Sequence, residues 1–460
     1  MLSRVILFTS ACLLGSAVVA ATPQVHEYPL DNGMKLLVKV DRRAPVVVSQ
    51  VWYKVGSSYE LDGHTGISHV LEHMMFKGTQ KHGMGEFSRI IAENGGRENA
   101  FTSRDYTAYF QSLENNRLPI AFELEADRMR NLKLDTTEFA KEVKVVMEER
   151  RLRTEDDAQA LTYEQFNAVA YLNSPYRTPI IGWMNDLENL QAADLQQWYQ
   201  QWYAPNNAVL VVAGDVDPQA VLKLARKHFG GLTTSKIEAS KPRREIEQRG
   251  LRRLVVKAPA EVPYLMMGYK VPALITAKDD WEPYALEVLA GILDGGDSAR
   301  FTRELVRGQQ IATTAGAGYD LYDRQESLLM LDGSPAKGHD IAALETALRA
   351  QIALLRDQPV SVAELERVKA QVLADHVYQE DSVFYQAMRI GTLESVGLGW
   401  QRLDEYLPRV QAVTAEQVQK VARKYLLDDR LTIAVLEPQP MDAGAQARAA
   451  AAAQGVGHGH

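Results

Sequence analysis

The order of sequence patterns repeats once along this chain, and that repeat limits the fold more than any other feature. On either side of a polar stretch at residues 231–250 (GLTTSKIEASKPRREIEQRG) lie two halves with the same succession of elements. The first opens with extended, β-branched runs (VHEYPL, MKLLVKV, VVVSQVWYKVG), passes into helical periodicity and closes with QQWYQQWYAPNNAVLVVAGDV. The second opens with LRRLVVKA and VPYLMMGYKV and closes with QKVARKYLLDDRLTIAVLEP. Runs of the first kind mark strands, and apolar residues recurring every three to four positions mark helices. Tyr203 and Tyr425 take matching places, 425 − 203 = 222 residues apart, each followed by a turn pair (Asn206-Asn207, Asp428-Asp429) and a strand. The expected fold is therefore α+β, with two homologous domains, each a mostly antiparallel sheet packed with helices. The expected boundaries are 25–230 for the first domain, 231–250 for a linker and 251–437 for the second.

A length of 460 residues agrees with more than one domain. The chain carries a net charge of −8 and no long basic tract, which argues against a nucleic-acid partner. Residues 1–21 combine one Arg, a short apolar run and small residues at Ala20 and Ala21, the pattern of a cleaved signal peptide. The run is too short to span a bilayer, so no stable membrane anchor is expected after cleavage, and the expected location is periplasmic or secreted. The single cysteine, Cys12, falls inside that segment, so the mature chain has no disulfide and no thiolate ligand. Residues 438–460 are rich in Ala, Gly and His and read as a disordered tail, where His458 and His460 offer only weak adventitious metal binding.

The chemistry concentrates in HTGISHVLEHMMFKGT, residues 64–79. Wound as a helix at about 100° per residue, it gathers Ile67, Val70, Leu71, Met74 and Met75 on one side and His69, Glu72, His73 and Phe76 on the other. His69 and His73 stand at i and i+4 and stack on successive turns, which suits two ligands of one tetrahedral zinc. The order His-x-x-Glu-His inverts the commoner His-Glu-x-x-His and likewise sets an acid beside the pair. A surface helix with its histidines in water is the plain alternative; a lone histidine would favour it, and a pair with an acid does not. Without cysteine, a third ligand must be a histidine or a carboxylate. In KEVKVVMEERRLR (141–153), Glu142 and Glu149 lie within about 20° of each other on a helix, while Glu148 points away. A solvated face of alternating charges explains that segment equally well. Shifted by 222, His69-Val70-Leu71-Glu72-His73 falls on Gly291-Ile292-Leu293-Asp294-Gly295, so the second copy keeps the apolar pair and lacks both histidines.

Together, HTGISHVLEHMMFKGT and the downstream KEVKVVMEERR resemble the pitrilysin/insulinase family of zinc peptidases, which includes the mitochondrial processing peptidase. The resemblance runs from about Val25 to Leu436 and takes in ENGGRENAFTSRDYTAYF (93–110), where family members present an edge strand to substrate. It implies a zinc-dependent metalloendopeptidase that hydrolyses unstructured peptides or small proteins, with one zinc per chain. The family's interval between second histidine and third ligand is matched by 149 − 73 = 76. Carried over, His69, His73 and Glu149 are the zinc ligands, Glu72 is the general base that takes a proton from the attacking water, and Glu142 orients a histidine. Asn99, Ala100 and Phe101 would lie along the substrate, a peptide adding itself to their strand through main-chain hydrogen bonds.

One departure has consequences. Active family members commonly carry an Arg and a Tyr in a C-terminal domain. In SARFTRELVRGQQIATTAG (298–316), matching Arg300 and Glu304 to the family puts Val306 and Thr313 where that pair belongs. Arg303 and Arg307 are out of register and read as solvated helix charges. The resemblance then implies a partner: a zinc-less homologous chain carrying the Arg/Tyr pair in a heterodimer, or a homodimer, closing a chamber around the peptide. The alternative from another class is a non-catalytic peptide-binding partner subunit of a related two-chain peptidase. The intact His69, Glu72, His73 and Glu149 argue against it, and zinc stoichiometry separates the two.

Overall fold

The computed structural model describes residues 25–238 and 241–441. The expected leader with Cys12, and the expected tail beyond residue 441, lie outside the described residues. The repeat emerges as two sheets. In the first, β1 (Val25–Pro29), β2 (Lys35–Val40), β3 (Val46–Tyr53), β4 (Arg97–Thr102), β5 (Thr107–Glu114) and β6 (Ala208–Gly214) line up as β1-β2-β6-β3-β5-β4. In the second, β7 (Arg252–Pro259), β8 (Tyr264–Val271), β9 (Ala312–Gly318), β10 (Ser327–Pro335) and β11 (Leu431–Gln439) line up as β7-β11-β8-β10-β9. The orders superimpose strand for strand once β1 is set aside. Each sheet is antiparallel except for one parallel pair, β2 with β6 and β7 with β11. The last strand runs to Gln439, past the boundary expected at 437.

The central strands are near-continuous apolar runs, as strands covered on both faces should be. β6 (AVLVVAG) is buried throughout. One face of the first sheet packs on that half's own helices, joining Val38, Tyr53 and Leu210 to Leu71 and Phe122. The other face is covered by a helix of the second half, Val383–Ser395, whose Ala387 and Ile390 meet Trp52, Val209 and Val211. The exchange is mutual. The helix Ala158–Ala170 of the first half lays Phe166 and Ala170 on Met266, Leu328 and Ala434 of the second sheet. Glycines make both approaches possible: a Cβ on Gly391 would come within 2.0 Å of Trp52, and one on Gly268 within 2.6 Å of Phe166. Each half thus keeps its own main core and shares a smaller apolar cluster with the other.

The polar stretch between the halves is tied down at Glu245, which accepts from the backbone N–H groups of Leu172 (3.0 Å) and Ser174 (2.9 Å) and from Lys270 Nζ (2.5 Å). Among the described residues no helix is long and apolar enough to cross a membrane.

Candidate metal centre

The motif folds as the helix Ile67–Met74, burying Ile67, Val70, Leu71 and Met74 against the first core. Its start is fixed by close approach. Gly66 takes a left-handed φ of +88°, and a Cβ there would sit 2.6 Å from the Ile181 carbonyl oxygen. The buried Glu60 carboxylate accepts from the N–H groups of Gly66 (2.8 Å) and Ser68 (2.9 Å), serving the free donors of the helix N-terminus. Burial pushes the Glu60 carboxyl up to about 7 against these two bonds.

Glu142 and Glu149 lie on the helix Thr136–Arg150, which Asp135 caps by accepting from Thr137 N and Glu138 N. Phe139, Val143 and Val146 press it onto the core, and Glu142 and Glu149, flanking that apolar stripe, meet the motif helix. Single donor atoms of His69, His73 and Glu149 come within 4.8 Å of one another. His73 Nε2 lies 3.3 Å from Glu149 Oε2, and His69 Nε2 lies 3.8 Å from Glu149 Oε1. His73 Nδ1 faces Glu142 Oε2 at 3.4 Å, and Lys77 Nζ holds the other Glu142 oxygen at 2.7 Å. With Nδ1 engaged by a carboxylate, the Nε2 of His73 is the atom left for a metal. Two imidazole nitrogens and one carboxylate converging on one point fit zinc, and three protein ligands leave a fourth position open.

Burial and neighbouring charges pull these groups in opposite directions. Burial pushes His69 down to about 4, helped by neighbouring His73. Burial also opposes protonation of His73, but Glu149, Glu72 and Glu142 outweigh it and its pKa rises. The bond to His73 lowers Glu149, and Arg153 adds to this with Nη1 2.6 Å from Glu149 Oε1. Glu72 stands apart from the three donors. Its Oε2 accepts from the Thr102 hydroxyl of β4 at 2.5 Å, and burial raises its pKa although that bond opposes the rise.

These groups line a cavity of about 890 Å³. Asn99, Ala100 and Phe101 stand in its wall on β4, the edge strand of the first sheet. The opposite wall comes from the second half, through Asp320, Tyr322, Thr392 and Val396. The turn between β9 and β10 is fastened across the cleft by Arg324, which donates to Asp105 Oδ1 (2.9 Å) and Ser58 Oγ (2.8 Å) and lies over the Tyr59 ring. Val306 and Thr313 do not line this cavity. Val306 packs against the second core, and the Thr313 hydroxyl donates to the Ser334 carbonyl at 3.2 Å. Arg303 pairs with Glu304, and Arg307 with Asp297.

Two participants escaped the sequence reading. Thr102 was within reach, because strand alternation puts it on the same face as Ala100. Arg153 was too, because it stands at i+4 from Glu149, and the pair forms although the helix widens into a π turn over Arg151–Glu155.

Known proteins share this architecture and these sequence features. The profile of "Insulinase (Peptidase family M16)" matches residues 35–182, and that of "Peptidase M16 inactive domain" matches residues 189–372. "Zinc protease PqqE" of Helicobacter pylori is 33% identical over 445 residues, covering 95% of this chain and 98% of that protein. "Uncharacterized zinc protease YmxG" of Bacillus subtilis is 26% identical, covering 90% of this chain and 98% of that protein. The crystal structure of a protease from Helicobacter pylori superimposes with a TM-score of 0.86 at 31% identity, over 91% of this chain and all of that one. A peptidase M16 inactive domain from Pseudomonas fluorescens shares the fold, with a TM-score of 0.81 at 17% identity over 91% of this chain and 100% of that one. The chain thus belongs to the insulinase family of peptidases, M16, and joins that family's metal-motif domain to its inactive one.

Proposed function

We propose that this chain is a zinc metalloendopeptidase acting on unstructured peptides, with one zinc held by His69, His73 and Glu149. The observation that carries the reading is the meeting, in one cavity, of three convergent donors, a fourth acid outside the donor set and the free edge of a sheet. A zinc ion there would lower the pKa of a bound water toward about 7 and polarise the scissile carbonyl. The chain's own residues do the rest. An extended peptide pairs with β4 along Asn99, Ala100 and Phe101, which selects conformation more than sequence. Glu72 takes the proton of the attacking water and returns it to the departing amine. Thr102 holds Glu72 against the substrate strand, and Glu142 fixes the His73 ring.

Val306 and Thr313 leave the expected Arg/Tyr pair unfilled, so the proposal includes a partner: a zinc-less homologous chain, or a second copy, supplying donors near the developing oxyanion. The direct test is metal analysis of the purified chain with cleavage of an unstructured peptide mixture, before and after chelation and zinc restoration. Cleavage that tracks zinc at one equivalent per chain supports the reading. A chain holding no stoichiometric zinc would instead be the non-catalytic peptide-binding subunit.

A further inference from the structure

Beside the donors, one buried ion pair ties the end of the helix carrying Glu149 to the next helix, Ala158–Ala170. Arg150 follows Glu149 in the chain and is only 4% exposed; its partner Glu164 is 8% exposed. The guanidinium donates to both Glu164 oxygens, at 2.6 and 2.8 Å, and to the Gly182 carbonyl at 2.9 Å. Gly182 lies against the start of the motif helix. A Cβ on Gly182 would fall 2.4 Å from the Thr65 oxygen and 2.6 Å from Gly66 Cα. Glu60 holds Gly66 from the other side. A continuous series of contacts, Glu164 to Arg150 to Gly182 to Gly66, therefore runs from the end of the helix carrying Glu149 to the beginning of the helix carrying His69 and His73.

A buried ion pair adds little net stability, because desolvation offsets most of the attraction. A two-pronged guanidinium–carboxylate contact does, however, fix both distance and angle. That matters here because α-helical geometry ends at Arg150 and gives way to the π turn, so the turn carrying Glu149 is not held by a regular continuation. The second half has nothing equivalent. The positions 222 further on are Val372 and Gln386, and the Gln386 amide bonds Asp41 and the Glu380 carbonyl instead.

We infer that Arg150, clamped by Glu164, is a positioning residue that sets the separation of Glu149 from His69 and His73 and so tunes metal affinity. This rests on the metal centre proposed above. The test measures zinc affinity of the full chain by competition with a chromogenic chelator, alongside the thermal midpoint of the metal-free form. The double variant Arg150→Met/Glu164→Leu removes both charges, so neither is left buried alone; Arg150→Lys keeps the charge but loses the fork. The double variant should bind zinc about 10–100-fold more weakly, the range for groups that orient metal ligands. Its metal-free midpoint should stay near wild type, and Arg150→Lys should fall between the two. Unchanged affinity in a folded double variant overturns the inference. So does a loss of affinity matched by an equal loss of metal-free stability, which marks a merely structural pair. If the double variant does not fold, Arg150→Lys decides, and wild-type affinity there overturns the inference. Absence of zinc binding by the wild-type chain would overturn the metal centre and this inference together, whereas wild-type binding with an indifferent Arg150 overturns the inference alone.

Discussion

The two halves build the same pair of helices and use them for different ends. In the first, His69, His73 and Glu149 face one another across the gap between helices. Their counterparts 222 residues on are Gly291, Gly295 and Gln371. There the gap is closed by hydrogen bonds. Gln371 Nε2 donates to the Gly295 carbonyl at 2.6 Å, and Arg367 donates to the Gly295 and Gly291 carbonyls at 2.8 and 3.1 Å. A flanking ion pair recurs as well, with its cation one position out of register: Glu142 with Lys77 at 2.7 Å in one half, Glu364 with Arg300 at 2.7 Å in the other. What differs is what lies between the helices: two imidazoles and a carboxylate in the first half, backbone carbonyls, an amide and a guanidinium in the second. The second half is a closed wall, and it gives its β9–β10 turn to the cavity of the first.

The strongest way to break this contrast is to remove one ligand. His73→Ala should abolish both stoichiometric zinc and peptide cleavage. Elemental analysis that still finds one zinc per chain in this variant would show the ligand set to be wrong. Glu72→Gln should separate binding from chemistry. It should keep zinc and peptide binding while turnover drops about 10²–10⁴-fold, the usual contribution of a placed proton-transfer group. Near-normal cleavage by the zinc-loaded variant would exclude Glu72 as the base. A third effect concerns the missing Arg and Tyr. If a homologous partner supplies a donor to the oxyanion, adding it to the lone chain should raise turnover about 10²–10³-fold, equivalent to about 3–4 kcal/mol of barrier. Full activity from a monomeric chain, with no gain on adding the partner, would sink the two-chain reading.

Much of this was legible in the sequence because it is local or periodic. Helical spacing alone put His69, Glu72 and His73 on one face, and the observed helix buries Ile67, Val70, Leu71 and Met74 as the pattern required. The 222-residue offset pairs His69 and His73 with Gly291 and Gly295. What was not legible depends on tertiary contact. Nothing in LTYEQFNAVA or VFYQAMRIGTLES says that each helix lies on the other half's sheet, because an apolar stripe does not name its partner. Spacing could propose Glu149, but only packing separates a ligand from a charged helix face, and Glu148, next to it, is exposed and paired with Arg151. The Arg150–Glu164 clamp was invisible for the same reason, since charges fourteen residues apart usually stay in water.

The closed wall of the second half should also be intolerant where the open site is not. A Cβ on Gly295 would stand 2.5 Å from the Gly291 carbonyl oxygen, and one on Gly291 2.8 Å from Val368. Gly295→Ala should therefore destabilise the fold by about 1–3 kcal/mol, the usual cost of overpacking. Chemical denaturation reads this directly, and a neutral Gly295→Ala would mean that the second pair of helices can open like the first.

The smallest effect expected is one of pH, and it too compares the halves. Burial raises the carboxyls of Glu60 in the first half and Glu287 in the second to about 7. Glu60 accepts two backbone N–H groups, whereas Glu287 accepts only the Tyr406 hydroxyl (2.7 Å) and keeps a buried Oε2 without a partner. Both groups bind their proton more tightly folded than unfolded. Their contribution is therefore fully present below about pH 4.5 and is lost as pH rises through about 7. Gln in place of Glu287 still accepts from Tyr406 and never ionises. Glu287→Gln should match wild type at pH 5 and exceed it at pH 8, on the order of 1 kcal/mol once partial water access is allowed for. Glu60→Gln should behave differently. Its amide can offer only one oxygen to two N–H groups, so it should be less stable than wild type already at pH 5. Thermal midpoints of the three metal-free proteins from pH 5 to 8 test both statements. A Glu287→Gln curve parallel to wild type would mean that Glu287 stays solvated, and a Glu60→Gln protein equal to wild type at pH 5 would remove Glu60 as the cap of the motif helix.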